Sequence, residues 1–312
     1  MINISAVSDY NYLLYGLSLR DSIHENTEED FTIHYLAIDE KTEKFLKGIP
    51  NIKVYSMDAI NKDPLFEVLK KHNPPAAGDP EDHSAQYQYA LASFFTHYLM
   101  HNENLDHCLY ADCDILFYND VKKIMNSVQN YDVGLIIHKH LVLDYMQGPG
   151  YYNVGIVYFS NSKQSLDCLE FWRWVSADKR NQYFSHFGTC GDQKYLELFD
   201  VVIDGLKVKI IDKDIGHAAP WNFHLSSVDD KTGKILWDAG PSLFGTEAIG
   251  ENIVEQELMF VHFSHFRPKF EDNTYKEQFN SEWGNILGVS WVKKIYDKYF
   301  EDCKAAKQKY GL

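Results

Sequence analysis

Short apolar runs alternate with amphipathic segments through the first third of the chain. Residues 11–26 predict a helix, because Leu13, Leu17 and Ile23 bring apolar side chains back to one face at helical spacing. The apolar runs around this helix are shorter and predict strands. Strands that alternate with helices are typical of a parallel sheet covered on both faces. The predicted strands here cover residues 2–9, 31–39 and 51–58, and a second, shorter helix covers residues 40–49.

The pattern changes after a proline- and glycine-rich stretch at residues 72–83, which predicts a surface loop. A long helix and a strand follow the loop, and the rest of the chain mixes strands with helices. We therefore predict the α/β class, with an alternating first half and a mixed second half fused into one sheet. The later strands are predicted at residues 107–118, 132–138, 153–160, 207–214, 234–240 and 258–266, and the later helices at residues 84–100, 164–179, 192–199 and 290–312.

Composition and charge narrow the classes of partner. The 312 residues, 45% of them hydrophobic, suffice for one large domain or two intimate lobes. The sequence opens without a signal-peptide pattern and has no apolar run long enough to span a bilayer, which predicts a cytoplasmic protein. Five cysteines without a C-x-x-C pair predict reduced thiols. The net charge of −15 argues against a nucleic-acid partner, although a bound cation can still neutralise the phosphates of a nucleotide.

Two carboxylates, Asp112 and Asp114, interrupt the apolar run LYADCDILFY at residues 109–118. They follow the apolar part of a predicted strand, and ligands of open α/β sheets lie beyond the carboxyl ends of the strands. Residues two apart on an extended chain point to the same side, so these carboxylates repel unless a cation lies between them. Mg²⁺ and Mn²⁺ prefer such oxygen ligands. The alternative is a solvated turn in which both aspartates cap backbone groups.

Five segments, taken in order, resemble one family. They are ISAVSDYNYLLYGLSLRDSI, YADCDILF, YYNVGIVYFSN, GDQKYLELF and FVHFSHFRP. On these segments the chain resembles glycosyltransferase family 8, whose members have the GT-A fold and include bacterial lipopolysaccharide galactosyl- and glucosyltransferases and glycogenin. The resemblance implies a Rossmann-like, mixed and mostly parallel sheet flanked by helices, in a single domain over residues 1–270. Its nucleotide-binding half would cover residues 1–118 and its acceptor and sugar half residues 119–270, with a C-terminal helical extension over residues 271–312.

The resemblance also implies an enzyme that transfers a hexose, with retention, from a nucleotide sugar to a saccharide acceptor. The implied donor is UDP-glucose or UDP-galactose. Asp112, Asp114 and His262 would hold Mn²⁺ or Mg²⁺, and a metal there stabilises the diphosphate leaving group. On the residues alone, His262 is better explained as a core histidine on a strand. Asp192 would bind the donor sugar and Gln193 would stabilise the anomeric carbon electrostatically, although Asp192 also suits a helix N-cap.

Further donor contacts are implied on either side of these residues. The loop after the first strand would receive the base and ribose, and Asn153 would donate to sugar hydroxyls where Gly155 lets the backbone pass closely. The alternative for Asn153 is a turn residue at the start of a strand. Arg267 would hold the diphosphate, or it is an ordinary surface arginine. The implied donor-binding residues are Ala6, Ser8, Asp9, Asp112, Asn153, Gly155, His265 and Arg267.

The segment GHAAPWNFH at residues 216–224 suggests where an acceptor would bind. It sets His217 and Trp221 close together, and an aromatic ring beside polar groups suits stacking on a sugar. Trp221 is almost equally suited to anchor a loop in the core.

Two features depart from the family pattern. Leu91 stands where the helix before the D-x-D segment usually carries an arginine, and Ser264 and His265 stand where a glycine usually follows the closing histidine. These departures leave open a different donor, the other stereochemical outcome or a weakened enzyme. They also suit a rival function, a non-catalytic relative that binds a glycan or a partner protein. A nucleotidyltransferase is disfavoured, because AVSDYNY is not a glycine-rich, basic loop.

The predicted C-terminal helix over residues 290–312 is amphipathic. Trp291, Ile295 and Tyr299 fall about one turn apart among several lysines. This pattern suits a peripheral membrane contact for a lipid-linked acceptor. Acidic residues dilute its charge, however, and a helix packed on the domain is the better explanation.

Overall fold

The computed structural model describes residues 1–72, 85–139, 150–177, 192–229, 234–238, 253–276, 288 and 290–312. Its helices are α1 (Leu13–Asn26), α2 (Glu40–Leu46), α3 (Pro64–His72), α4 (Ala85–Asn102), α5 (Lys122–Val128), α6 (Lys163–Ala177), α7 (Phe199–Val202) and α8 (Ser290–Tyr310). Its strands are β1 (Ile2–Ser8), β2 (Phe31–Ala37), β3 (Ile52–Ser56), β4 (His107–Ala111), β5 (Ile115–Phe117), β6 (Val133–Ile137), β7 (Tyr152–Ser160), β8 (Val208–Ile210), β9 (Gly216–Ala218), β10 (Ser226–Val228), β11 (Ile235–Asp238), β12 (Ile253–Gln256), β13 (Leu258–His262), β14 (Arg267–Lys269) and β15 (Thr274–Lys276).

A seven-stranded sheet forms the centre of the fold, in the order β3-β2-β1-β4-β7-β6-β8. The strands β1 to β4 are parallel, and β8 is parallel to β6. Only β7 runs against its neighbours β4 and β6 within this sheet. The predicted α/β fold with a mixed, mostly parallel sheet is confirmed. Because β7 is reversed, its amino end lies at the same edge as the carboxyl ends of β4 and β6.

Alternate residues of β4 enter two separate cores, one on each face of the sheet. Leu109 and Ala111 pack in a cluster with residues of α1 and α8, whereas Cys108 and Tyr110 pack in a cluster with residues of α4 and α6. This alternation follows from the two-residue period of a strand. Helices therefore cover both faces, and polar chemistry is left to the ends of the strands. The described cysteines are buried free thiols, as predicted: Cys108, Cys113, Cys168 and Cys303.

The two predicted halves share the seven-stranded sheet, but not every predicted strand joins it. The strand predicted at residues 107–118 is two strands, β4 and β5, separated by a turn in which Ile115 N–H donates to the carbonyl of Asp112. This turn takes the chain out of the main sheet. As a result β5 pairs with β13, and β13 pairs with β9, in a separate three-stranded sheet.

Smaller elements also differ from their predicted extent. The helix predicted at residues 192–199 is a 3₁₀ helix at Lys194–Leu198 followed by α7. The strand predicted at residues 258–266 ends at His262, where a turn begins. Apart from its first residue, the loop predicted at residues 72–83 lies outside the described residues.

The C-terminal helix α8 packs on the domain. Trp291, Tyr296 and Tyr299 are buried, and the ring of Tyr299 stacks on Phe263 with 3.9 Å between the ring centroids. The protein itself covers the aromatic face that a membrane contact would need, so the packed-helix explanation fits the structure. Within the described part of the chain, no helix combines the length and the apolar character that crossing a bilayer requires.

Asp39 ties the loop after β1 to the start of α2. Its Oδ1 accepts a hydrogen bond from Thr42 N–H and its Oδ2 accepts one from Tyr10 N–H, each at 2.8 Å. An aspartate at this position satisfies backbone groups that the first turn of a helix leaves unpaired. We expect Asp39→Ala to lower the free energy of unfolding by about 1 kcal/mol, as measured by urea denaturation at neutral pH.

The pH dependence gives this prediction a second readout. Burial raises the pKa of Asp39, but the hydrogen bonds from Thr42 and Tyr10 outweigh burial and the pKa is lowered. A carboxyl with a lowered pKa stabilises the fold above its unfolded pKa of about 4 and loses that contribution as the pH falls through the folded value. The difference between wild type and Asp39→Ala should therefore shrink in acid. A difference that stays constant down to pH ~2 would contradict this assignment.

Candidate metal and donor site

Three strand ends meet at one edge of the main sheet and carry the candidate site. Asp112 follows the carboxyl end of β4, His138 follows the carboxyl end of β6, and Asn153 lies at the amino end of the reversed strand β7. The first and last of these strands stay in contact beyond their ends, because Asp112 N–H donates to the Gly155 carbonyl at 2.9 Å. Reversal of β7 thus adds an amide side chain and a glycine to an edge that otherwise holds carboxylates.

Asp112, Asp114 and His262 form a cluster of the kind that holds metal ions. Each offers one ligand atom, and these atoms lie within 4.8 Å of one another. His262 Nε2 is 3.1 Å from Asp114 Oδ1 and 3.7 Å from Asp112 Oδ2. The pairing of β5 with β13 assembles the cluster, since it sets His262 opposite Ile115 and joins Phe263 N–H to the Asp114 carbonyl at 2.8 Å.

The members of this cluster shift one another's proton affinity. Burial raises the pKa of Asp112, and Asp114 adds to the rise, although His262 opposes it. Burial also raises the pKa of Asp114, but the charge and hydrogen bond of His262 outweigh burial and lower it. Burial lowers the pKa of His262, and the two carboxylates more than reverse this effect. Two like charges held this closely create a site that a divalent cation would neutralise.

The side-chain amide of Asn153 lies between His262 and Gln193. Its Oδ1 is 3.2 Å from His262 Nδ1 and accepts from Gly155 N–H at 2.9 Å. Its Nδ2 donates to Gln193 Oε1 at 2.9 Å and lies 3.2 Å from His138 Nε2. The register between β6 and β7 shifts at this point, an irregularity of the kind that re-aims side chains near functional sites. The predicted contact of Asn153 with a donor sugar stays a prediction.

Asp192 and Gln193 lie beside the cluster. Asp192 is 4% exposed, and its Oδ2 is buried without a hydrogen-bond partner among the residues that the structure describes. Burial raises the pKa of Asp192 well above its usual range, and the charge of Asp112 adds to the rise. Gln193 Oε1 accepts from Asn153 Nδ2 and, at 3.1 Å, from Val154 N–H. A buried carboxyl oxygen without a hydrogen-bond partner costs free energy unless a ligand pairs with it, and the contact of Asp192 with a donor sugar stays a prediction.

The end of β1 lies next to the turn that carries the two aspartates. The Ser8 hydroxyl is 2.6 Å from the Tyr35 hydroxyl, which in turn is 3.4 Å from Cys113 Sγ. Asp9 accepts hydrogen bonds from two backbone N–H groups just before α1. Ala6 is fully buried within β1. The contacts of Ala6, Ser8 and Asp9 with a base and ribose stay predictions.

Arg267 and His265 follow β13. Arg267 Nη2 donates to the Tyr12 hydroxyl at 2.8 Å, and burial followed by the charge of Asp114 raises the pKa of Tyr12, so this pair lies near the cluster. His265 is exposed and has a backbone φ of 60°. This left-handed conformation favours glycine, and a glycine is the residue that the resemblance led us to expect at this point. His265 adopts it at some cost in strain.

His217 and Trp221 are both buried against other side chains of the protein. His217 is 1% exposed, lies 2.5 Å from Asp212 through its Nε2, and stacks on Phe260. The buried ring of Trp221 packs edge-on against His262, with 5.3 Å between centroids. The structure therefore gives Trp221 the role of supporting the histidine of the cluster, and contact of either residue with an acceptor stays a prediction.

Sequence analysis missed two residues of this site. Tyr110 donates to Asp112 Oδ1 at 2.7 Å, and its position two residues before Asp112 on the same side of the chain could have indicated this. His138 contacts Asn153 and packs edge-on against Trp221, with 5.3 Å between centroids. Its signal was a polar residue at the carboxyl end of a predicted strand, the place where α/β sheets bind ligands.

Comparison with known sequences places two bacterial proteins beside this chain. No protein-family model matches it. The uncharacterized Bacillus subtilis (strain 168) protein YfnD is 24% identical over 320 residues, which cover 97% of this chain and 88% of YfnD. YfnF from the same organism, also uncharacterized, is 24% identical over 254 residues, which cover 76% of this chain and 78% of YfnF.

Solved structures with the same fold are glycosyltransferases. The galactosyltransferase LgtC, in complex with donor and acceptor sugar analogs, superimposes with a TM-score of 0.58 at 14% identity and covers 97% of this chain and 96% of its own. An active-site Gln-to-Glu mutant of LgtC gives a TM-score of 0.52 at 14% identity, over 94% and 96% of the two chains. Mouse xyloside xylosyltransferase 1 gives a TM-score of 0.54 at 12% identity, and the match covers 84% of this chain and 97% of the mouse protein. The chain therefore has the GT-A fold of these glycosyltransferases.

Proposed function

We propose that this protein transfers a hexose from a nucleotide sugar to a saccharide acceptor and uses a divalent cation to do so. The observation that carries the proposal is the cluster of Asp112, Asp114 and His262 at the ligand-binding edge of a GT-A sheet. LgtC binds donor and acceptor sugar analogs on the same fold, which supports the same two kinds of partner here. We take UDP-glucose or UDP-galactose as the donor to test first.

The three side chains fit Mn²⁺ or Mg²⁺. Two carboxylates supply the hard oxygen ligands that both ions accept, and the imidazole nitrogen of His262 favours Mn²⁺ over Mg²⁺. The second ring nitrogen of His262 is held by Asn153, as is usual for a metal-binding histidine. A cation bound there supplies charge stabilisation to the diphosphate as it leaves.

The diphosphate and nucleoside would lie around the ends of β13 and β1. Arg267 and His265 are the cationic or donor side chains that follow β13, and we assign them to the diphosphate. Ala6, Ser8 and Asp9, where β1 ends beside the aspartate turn, are assigned to the base and ribose.

Asp192 and Gln193 are assigned to the donor sugar. The Oδ2 of Asp192, which has no hydrogen-bond partner among the described residues, suits a bond from a sugar hydroxyl. Gln193 is held by two donors on its Oε1, which argues against a nucleophile and for a fixed polar group near the reacting carbon. Retention would then follow from attack by the acceptor hydroxyl on the face from which the diphosphate departs. The carbon–oxygen bond to the diphosphate breaks, the bond to the acceptor forms, and the diphosphate takes the acceptor proton.

A transfer assay tests this proposal. Purified protein is incubated with Mn²⁺, a panel of UDP- and GDP-linked hexoses and a set of simple saccharide acceptors. Release of nucleoside diphosphate identifies the donor, mass spectrometry identifies the product, and proton NMR of its anomeric signal distinguishes retention from inversion. We expect one UDP-hexose to be consumed and the anomeric configuration to be kept.

One specific observation favours a non-catalytic relative as the second candidate. Leu91, which stands at the usual arginine position, is fully buried in the core beside α6, so no cation replaces that arginine at its own position. In this case the protein would bind a nucleotide sugar or glycan, but no donor in the panel would be consumed.

A further inference from the structure

The proposal concerns how Asn153 acts on the metal ligand His262, and it rests on the proposed function. We propose that Asn153 is a positioning residue: its amide holds His262 with Nε2 toward Asp112 and Asp114, and it holds Gln193 in the same network. Asn153 would thus set metal affinity without touching the metal. This role is separate from the direct sugar contact that the resemblance implies, which stays a prediction.

Backbone donors determine which way the two amides face. Gly155 N–H can only donate, and it donates to the Oδ1 of Asn153 at 2.9 Å. The Nδ2 of Asn153 must therefore face Gln193, whose Oε1 receives it at 2.9 Å. Val154 N–H donates to the same Oε1 at 3.1 Å, so the backbone of β7 fixes Gln193 independently. The orientation of both amides follows from two N–H groups that cannot reverse their roles.

The amide in turn determines which ring nitrogen of His262 donates a hydrogen bond to it. Asn153 Oδ1 can only accept, so the His262 Nδ1 that lies 3.2 Å from it must be the donor. The other ring nitrogen, Nε2, then faces the carboxylates, 3.1 Å from Asp114 Oδ1, and it is free to coordinate a cation that displaces its hydrogen. Hydrogen bonds of this kind orient the ring of a metal-binding histidine and make it a better ligand.

The side chains that make this contact are buried and tightly packed. Asn153 is 4% exposed and His262 is 5% exposed, so water does not replace the bond between them freely. A Cβ atom on Gly155 would lie 2.5 Å from Asn153 Oδ1 and 2.7 Å from His262 Nδ1, both shorter than ordinary contact. The glycine therefore makes room for this pair of side chains, and Trp221 packs on the histidine ring as well.

The test compares Mn²⁺ affinity in two Asn153 variants and a matched control. Asn153→Leu keeps the shape of the side chain but removes the acceptor, and Asn153→Asp keeps the acceptor. The control is Asn3→Leu, because Asn3 is another buried asparagine whose Oδ1 lies 3.2 Å from a histidine ring nitrogen, that of His34, at the opposite end of the sheet. Mn²⁺ binding is followed by calorimetry without nucleotide, after thermal melting has shown that each variant is folded.

We expect Asn153→Leu to weaken Mn²⁺ binding about 10- to 100-fold. Asn153→Asp should bind Mn²⁺ within a few-fold of the wild-type affinity, because it keeps the acceptor for His262 Nδ1, and Asn3→Leu should bind Mn²⁺ like the wild type.

The outcomes separate this inference from the proposed function. If the wild type binds Mn²⁺ and Asp114→Asn does not, the metal site stands. Unchanged affinity in a folded Asn153→Leu, or equal weakening in Asn153→Leu and Asn153→Asp, would then overturn the role of Asn153 alone. If Asn153→Leu does not fold, a loss of Mn²⁺ affinity of about 10-fold or more in folded Asn153→Asp overturns it. No Mn²⁺ binding by the wild type would remove both proposals.

Discussion

Asp114→Asn is expected to lower the rate of sugar transfer by about 10³-fold or more while the protein stays folded. The substitution removes one charged ligand atom that faces His262 Nε2 and keeps the size of the side chain. The backbone carbonyl of Asp114, which accepts from Phe263 N–H, is unchanged, so the pairing of β5 with β13 should persist. A metal that stabilises a departing diphosphate contributes several kcal/mol, and each 1.4 kcal/mol, roughly, is tenfold in rate. Initial rates at saturating Mn²⁺ measure the effect.

Asp167→Asn is the matched control for this experiment. It removes the same charge from an exposed aspartate of α6 that pairs with Lys163 on the surface. An exposed ion pair contributes little to stability, and this one does not contact the cluster. Its transfer rate should equal that of the wild type. A folded Asp114→Asn that transfers sugar as fast as the Asp167→Asn control would contradict the assignment of Asp114 to the metal.

Gly155→Ala is expected to weaken Mn²⁺ binding about 10- to 100-fold and to lower the free energy of unfolding by about 1–3 kcal/mol. The added methyl group would lie 2.5 Å from Asn153 Oδ1, 2.7 Å from His262 Nδ1 and 3.0 Å from His262 Cε1. Both side chains are buried, so the histidine has to move away from the carboxylates or the strand has to shift. Calorimetry with Mn²⁺ and urea denaturation measure the two effects separately.

Gly134→Ala controls for crowding alone. Its added methyl group would lie 2.8 Å from a side-chain carbon of Val128 and 3.1 Å from side-chain carbons of Ile211 and Tyr158, in the interior beside β6. We expect it to lower stability to a similar extent but to leave Mn²⁺ affinity unchanged. Equal loss of Mn²⁺ affinity in both variants would show that general destabilisation, and not displacement of His262, is responsible.

Much of the fold follows from local pattern. The spacing of Leu13, Leu17 and Ile23 predicts α1, and the alternating strands and helices predict the parallel part of the sheet. The split at the aspartate turn could not be predicted, because β5 has only three residues and its pairing with β13 joins distant parts of the chain. An apolar run indicates that a segment is buried, but it does not identify the sheet that the segment joins.

The candidate site could likewise be predicted only in part from the sequence. The pair of carboxylates at a strand end pointed to a cation site on chemical grounds, and the structure brings His262 to them. The role of Asn153 could not be derived from the sequence, because it depends on which neighbours surround the amide after folding. Likewise, His217 and Trp221 suggest a surface for an acceptor in the sequence, yet both are buried in the structure, where β9, which carries His217, pairs with β13.

The most direct test of the metal-dependent donor site is calorimetric titration of the wild-type protein with UDP, GDP and their hexose conjugates, with and without Mn²⁺. We expect one nucleotide sugar to bind tightly when Mn²⁺ is present, and binding to be lost when Mn²⁺ is removed or when Asp114 is changed to Asn. Nucleotide binding that is equally tight in the presence and absence of Mn²⁺, or no binding under either condition, would contradict this expectation.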